Sequence, residues 1–256
     1  MKRQVTLTAL TMMVLCGGCR MFDYDDDLVF YESFDSLERL AQPELGPKGH
    51  FDQCKLDDGK SGKALLVPAG CVTLSYPFQA GFVGDRGCIE FWAKILRPTS
   101  QYGNCDPCFF HQRFDNGEEM IIAFSANNGM GRGGLCGRVV HYERETERMF
   151  SWGKPFAPIL GADRIGDWHH YAIVWNTQGI RGYARNDGKP SLAVMMLDGR
   201  VVADESFAGH GDDVLDSFRG TVANPSTLYF PRYQASGGRD FLIDEFKIWK
   251  VDKMDF

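Results

Sequence analysis

Short runs of β-branched and aromatic residues, each bounded by Gly, Pro, Asp or Asn, recur from residue 28 to residue 249, the signal of strands. They predict strands over 28–34, 51–55, 64–68, 72–76, 88–95, 108–114, 120–125, 138–144, 169–176, 192–197, 200–206, 227–231 and 241–249. A 3.6-residue period is confined to 36–41 and 213–218, where brief helices are expected. Turn chemistry separates the runs: Asp57-Asp58-Gly59, Asp115-Asn116-Gly117, Asn186-Asp187-Gly188 and Asp198-Gly199. Around the last of these, Met196-Leu197 and Arg200-Val201-Val202 read as the arms of a hairpin. So many strands with so little helix predict an all-β fold of two packed antiparallel sheets.

Alternation assigns faces. In Ile89-Glu90-Phe91-Trp92-Ala93-Lys94-Ile95 the odd positions are apolar and should face the core, which leaves Trp92 with Glu90 and Lys94 on the open face. In His169-His170-Tyr171-Ala172-Ile173-Val174-Trp175 both faces are largely apolar, as in a central strand covered on both sides.

Composition narrows the classes. With 44% apolar residues in 256, the chain has enough apolar matter for a large single core. A net charge of −6 and the absence of any long Lys/Arg cluster exclude a nucleic-acid partner, which needs a concentrated basic face. At the N-terminus, Lys2 and Arg3 precede a mostly apolar stretch over 5–15, too short to span a membrane. Residues 1–18 are expected to be a signal peptide. Leu15-Cys16-Gly17-Gly18-Cys19 resembles a bacterial lipobox, with Cys16 standing where the motif usually has Leu, so Cys19 is the expected lipidation site. Residues 19–27 then form a short leader and 28–252 one domain, held at the cell envelope by its lipid or else secreted.

Export also frames the cysteines. Cys54, Cys71, Cys88, Cys105, Cys108 and Cys136 remain once Cys16 and Cys19 are set aside, an even number in an oxidising compartment, so disulfides are expected. Their pairing stays open. A zinc site from Cys105, Cys108, His111 and Cys136 is the rival reading.

One series of motifs carries a resemblance. Tyr31-Glu32-Ser33-Phe34-Asp35, Gly59-Lys60-Ser61-Gly62-Lys63-Ala64-Leu65 and Ile89-Glu90-Phe91-Trp92 come first. Trp168-His169-His170-Tyr171-Ala172, Leu197-Asp198-Gly199-Arg200 and Ile243-Asp244-Glu245-Phe246-Lys247-Ile248-Trp249 follow in that order. The series resembles the LamG-like jelly-roll family of the concanavalin A-like lectin/glucanase fold. The resemblance implies a two-sheet jelly roll and a role in carbohydrate binding or adhesion. It also implies a structural calcium on Asp244, with Glu32 or Asp35 as companions. The alternative for Asp244 is that it caps a turn or pairs with a cation. The segment 101–156 is longer than the family core and lies least within the resemblance.

Catalysis finds little support. Glycosidases work with paired carboxyl groups across a cleft, and the Glu-x-Asp-x-x-Glu string of the related glucanases is absent. Glu118-Glu119 and Asp244-Glu245 are adjacent, so in a strand they point to opposite faces. His169 and His170 read as satisfied core histidines. His111 and Arg113 share one strand face, and His141 and Glu143 another; if these faces meet they could hold a sugar acid or act as acid and base, as in a lyase, and otherwise they are solvated polar faces. Aromatic platforms for a sugar ring are expected at Trp92, Trp152 and Tyr102, whose other reading is a ring half-buried under a loop. Asn127 to Gly134 is a Gly-rich hairpin loop, not a phosphate cradle, because no helix follows it. The expected partner is thus a glycan or a cell-surface protein. The expected function is a non-catalytic binding module, with a structural envelope protein and a glycan-active hydrolase or lyase as its rivals.

Overall fold

The computed structural model describes residues 26–67, 73–82, 84–96, 109–115, 119–127, 133–143, 148–152, 156–157, 166–185, 187–188, 190–205, 223–230 and 241–256; across 119–157 it is the backbone that is described. Every regular element among them is a strand, and the strands form two antiparallel sheets of eight. The first runs β14 (Arg200–Glu205), β13 (Ala193–Leu197), β12 (Trp168–Asn176), β6 (Arg86–Ile95), β16 (Phe241–Trp249), β4 (Lys63–Val67) and β3 (Lys55–Asp58). Strand β1 (Leu28–Glu32) also pairs with β16, beyond the end of β4. The second runs β10 (Arg148–Trp152), β9 (Gly133–Glu143), β8 (Glu119–Asn127), β7 (His111–Phe114), β15 (Ser226–Phe230), β5 (Thr73–Phe78) and β2 (His50–Asp52), with β11 (Phe156–Ala157) on β9. The chain is an all-β, two-sheet antiparallel sandwich of jelly-roll type.

The core follows the alternation. Ile89, Phe91, Ala93 and Ile95 face inward, and so do Tyr171, Ile173 and Trp175 from β12. Aromatic rings fill most of the space between the sheets, and they meet edge to face: Phe30 on Tyr76 at 4.9 Å, Phe230 on Phe246 at 4.7 Å and Phe109 on Phe241 at 4.8 Å between centroids. Each such ring contributes about 2–3 kcal/mol through burial, and the pairing geometry adds about 1 kcal/mol. The outer side of the first sheet carries a second apolar cluster, in which Cys88, Ala172, Val174, Met196 and Trp249 meet Val251 and Met254 of the C-terminal segment. Strand β12 is therefore covered on both faces.

The Asp198-Gly199 hairpin forms with Leu197 opposite Arg200. Both loop residues have positive φ, 50° and 73°, which matches the twist of the flanking strands and is why Asp-Gly suits this turn.

Three expectations are corrected. Residues 36–41 form successive i to i+3 turns rather than a helix, since six residues before Pro43 cannot repay helix nucleation. Glu90 is buried, not on an open face, because Trp249 and the C-terminal segment cover its side of the sheet. Cys54 and Cys88 are free thiols, so the six cysteines do not form three bridges. Cys88 packs as a small apolar side chain in the outer cluster, where burial and the nearby Glu90 push its thiol well above the ordinary value. Burial pushes Cys54 up to about 11. Cys71, Cys105 and Cys108 lie outside the described residues, as do the leader over 1–18, Cys19 and the expected helix over 213–218; Cys136 lies on β9 opposite Ser125 and Phe156.

Candidate functional site on the outer face of the first sheet

A bulge in β16 sets up the site. Asp244 lies opposite Trp92 and Lys247 opposite Glu90, so one extra residue is inserted, and Glu245 takes a φ of 53°. The bulge keeps Ile243 and Phe246 in the inner core while Lys247 stands on the outer face. It also aims the buried Asp244 carboxylate at the turn between β3 and β4. There Oδ2 accepts the backbone amides of Lys60 and Ser61, at 2.7 and 3.0 Å, and Oδ1 accepts that of Glu245 at 2.8 Å. Burial, then Glu245, push the Asp244 carboxyl up to about 7 against the pull of those amides.

Asp35 grips the same turn from the other side, its Oδ1 accepting the Lys63 amide at 3.0 Å. The turn is closed by the Gly59 amide on the Gly62 carbonyl, and Gly62 has a φ of 69°. Glu32 is engaged elsewhere. It points between the sheets, where Oε2 accepts the Tyr76 hydroxyl at 2.6 Å and Oε1 the Phe34 amide at 3.2 Å. Burial pushes its carboxyl up to about 7.

As placed, the oxygens of these three acids do not converge on one point. Calcium needs six to eight oxygens converging on one point, whereas Asp244 and Asp35 turn oxygens toward amide N–H donors and Glu32 is committed to Tyr76. No group of three His, Cys, Asp or Glu side chains able to hold a metal exists among the described residues.

The clamped turn places exposed Lys60 over the outer face, with its ammonium 4.5 Å from the centroid of the half-buried Trp92 ring. His170 is the register partner of Trp92 on β12, and the two rings lie 5.2 Å apart. On the other side of His170 stands Phe256, with centroids 5.3 Å apart. Beneath them, Glu90 Oε2 accepts His170 Nε2 at 2.9 Å and Oε1 accepts the Trp249 indole N–H at 2.7 Å. Lys253 adds its ammonium at 3.5 Å from Glu90 and also lies over the Trp249 and Phe256 rings. Burial acts to raise the Glu90 carboxyl, but His170, Lys253 and Lys247 outweigh it and hold it below the usual carboxylate range.

An ionised Glu90 can only accept, so His170 donates through Nε2 and its Nδ1 is left on the side of the ring away from Glu90. Among the described residues nothing bonds that nitrogen, and it remains open to solvent. His169 is tied instead to Asp198, Nδ1 to Oδ2 at 2.8 Å. The outcome is a run of three rings, each tilted 54° to the next, with a ring nitrogen between them and an ammonium over Trp92.

Trp92 is thus where the alternation put it. Lys60, His170 and Phe256 were not expected at a site. Phe256 follows the last strand, His170 reads as a core histidine from its apolar run, and Lys60 meets Trp92 only through the sheet. Other expected residues fall apart from this face. His111 and Arg113 lie on β7 of the second sheet, with Arg113 half-buried. Arg113 is in register with Glu119 and Tyr142, whereas His141 is in register with Met120 and Gln112, so the two stand in different cross-strand rows. The expected meeting of the His111/Arg113 and His141/Glu143 faces is therefore not formed: β8 separates β7 from β9, and the register offsets the rows. Trp152 ends β10 opposite Val139. Tyr102 lies outside the described residues.

No family model matches the chain, and no curated relative does. Solved structures do. Domain 4 of AbnA, a GH43 extracellular arabinanase from Geobacillus stearothermophilus, in complex with arabinotriose, matches 90% of this chain and 98% of its own at a TM-score of 0.53 and 15% identity. The binding domain of Paraclostridial Mosquitocidal Protein 1 matches 89% of this chain at a TM-score of 0.55 and 15% identity. The botulinum neurotoxin serotype D ligand binding domain in complex with N-acetylneuraminic acid matches 89% at 0.56 and 10%. The chain spans about half the length of these last two, 50% and 48%. At these identities the likeness is one of fold alone, a β-sandwich.

Proposed function

We propose that this chain is a non-catalytic carbohydrate-binding module that takes its glycan on the Trp92 face of the first sheet. The observation that carries the reading is the Trp92–His170–Phe256 run of rings, flanked by Lys60 and the open Nδ1 of His170. A sugar ring lays its C–H face on an aromatic plane while its hydroxyls find polar neighbours at the rim, and this face offers both. Sandwich domains of similar fold that were solved with arabinotriose and with N-acetylneuraminic acid support the reading. So does the motif series that resembles LamG-like jelly rolls. Catalysis is not assigned, because the Glu-x-Asp-x-x-Glu string of the related glucanases is absent from the sequence.

Affinity electrophoresis through gels containing single polysaccharides tests this. Retardation by at least one polymer, with no shortening of the polymer, is expected, and Trp92→Ala should abolish it while leaving unfolding cooperative. A protein retarded by none of a broad neutral and acidic panel is instead a structural or protein-binding envelope component. Retardation that survives Trp92→Ala and fails in Arg113→Ala would move the site to the second sheet.

The same proposal includes an envelope location, with Cys19 as the lipid-bearing residue. Cys19→Ala should move the protein from the membrane fraction to the soluble one. If the wild type is already soluble, the anchor reading falls and the binding reading is untouched.

A further inference from the structure

Three lysines stand over aromatic rings on this face, and two of them are already neutralised. Lys253 pairs with Glu90 at 3.5 Å and Lys247 with Glu245 at 3.7 Å. Lys60 has no carboxylate partner among the described residues; its ammonium rests on Trp92 alone. Its backbone is fixed, because Asp244 holds the Lys60 and Ser61 amides, while its side chain is exposed and free to swing on a four-carbon stem.

That arrangement discriminates between sugars. A ring stacked on Trp92 takes the place of the Lys60 ammonium and ends its cation–π contact. A neutral sugar returns only hydroxyl oxygens or water to the ammonium, without an opposite charge. A sugar bearing a carboxylate returns a charged partner within reach of the same stem, and Nδ1 of His170 offers a hydrogen bond to one hydroxyl from the other side of the Trp92 ring.

We propose that the glycan taken by this face is acidic, with a carboxylate-bearing sugar stacked on Trp92, its carboxylate on Lys60 and a hydroxyl on His170 Nδ1. The proposal rests on the carbohydrate-binding reading above and specifies its ligand class.

The test measures affinity of the whole chain for oligosaccharides of galacturonate, of mannuronate and guluronate, and of glucuronate, each beside its carboxyl methyl ester and a neutral arabinan oligosaccharide. At low ionic strength at least one acid should bind about tenfold tighter than its ester, the effect of one charge-assisted contact. That preference should shrink as salt is raised. Lys60→Met should weaken binding of the acid until the preference is about one, and an unchanged melting temperature shows that the fold survives. Equal binding of acid and ester, or retention of neutral polymers alone, overturns the acidic ligand and leaves the carbohydrate reading standing. An acid preference that persists in Lys60→Met overturns the role of Lys60. Failure of the wild type to bind any of these sugars overturns both.

Discussion

Replacing Asp244 by Asn at pH 8 isolates the clamp that holds the Lys60 turn. The carboxylate, ionised at that pH, accepts three backbone amides, two through Oδ2 at 2.7 and 3.0 Å and one through Oδ1 at 2.8 Å. Asparagine has one carbonyl oxygen and one NH₂ group. Turned either way, its NH₂ confronts at least one buried amide donor, and the remaining bonds lose their charge assistance. A buried donor left without an acceptor costs about 1–3 kcal/mol, and weakening the other bonds brings the total to roughly 2–4 kcal/mol. In a domain of this size the melting temperature should fall by about 5–15 °C. Circular dichroism melts give that number, and hydrogen exchange should show faster exchange at the Lys60 and Ser61 amides. A melting temperature within about 1 °C of wild type would refute the clamp. The calcium reading is tested on the same wild-type sample: EDTA or added calcium should shift the melt by less than about 1 °C, and stabilisation of about 5 °C or more by calcium would mean that Asp244 serves a cation rather than the turn.

Further outcomes follow from other residues. Glu32, pushed up to about 7 by burial from its ordinary 4.5, favours the protonated fold. Its contribution is complete below about pH 4.5 and is lost as pH rises through 7, so urea midpoints should report roughly 2–3 kcal/mol less stability at pH 8 than at pH 5. Glu32→Gln should remove that much of the wild-type slope and leave the part of the same sign that Asp244, also pushed up to about 7, contributes; an equal slope in the variant would sink the assignment. Cys88, buried among apolar side chains, should resist iodoacetamide in the native protein and react once unfolded; peptide mass spectrometry that finds it alkylated or disulfide-bonded in the native state contradicts the outer cluster. Gly62→Ala forces a side chain into positive φ and toward Asp35 Oδ1, which should cost about 1–3 kcal/mol in chemical denaturation; a neutral result would mean that Asp35 does not grip the turn.

Much of this architecture is legible in the chain because strand periodicity is local. The alternation in 89–95 assigns Ile89, Phe91 and Ala93 to the core, and Asp198-Gly199 announces its hairpin, since each depends on residues adjacent in sequence. Strand β10 escaped the pattern: Arg148-Met149-Phe150-Ser151-Trp152 is short and mixed, and its pairing with β9 makes it a strand. Trp92 could be picked out as a ring on an outward position for the same local reason.

The rest of the site is a product of register. Glu90 looks like a surface acid until Trp249, His170 and Lys253 arrive from residues at least 80 positions away. Asp244 stands in a motif that implied calcium, and only the structure brings the amide-rich turn opposite it, whose N–H donors its carboxylate accepts. Cys54 and Cys88 fit a disulfide count by composition, yet a thiol in an apolar cluster needs no partner. By itself, then, the sequence determined the all-β class, the inward residues and the outward position of Trp92, all encoded by neighbours within a strand. The tertiary structure decided which acid meets an amide, which a histidine and which a tyrosine, because pairing between distant strands sets the local dielectric and the donors each side chain meets.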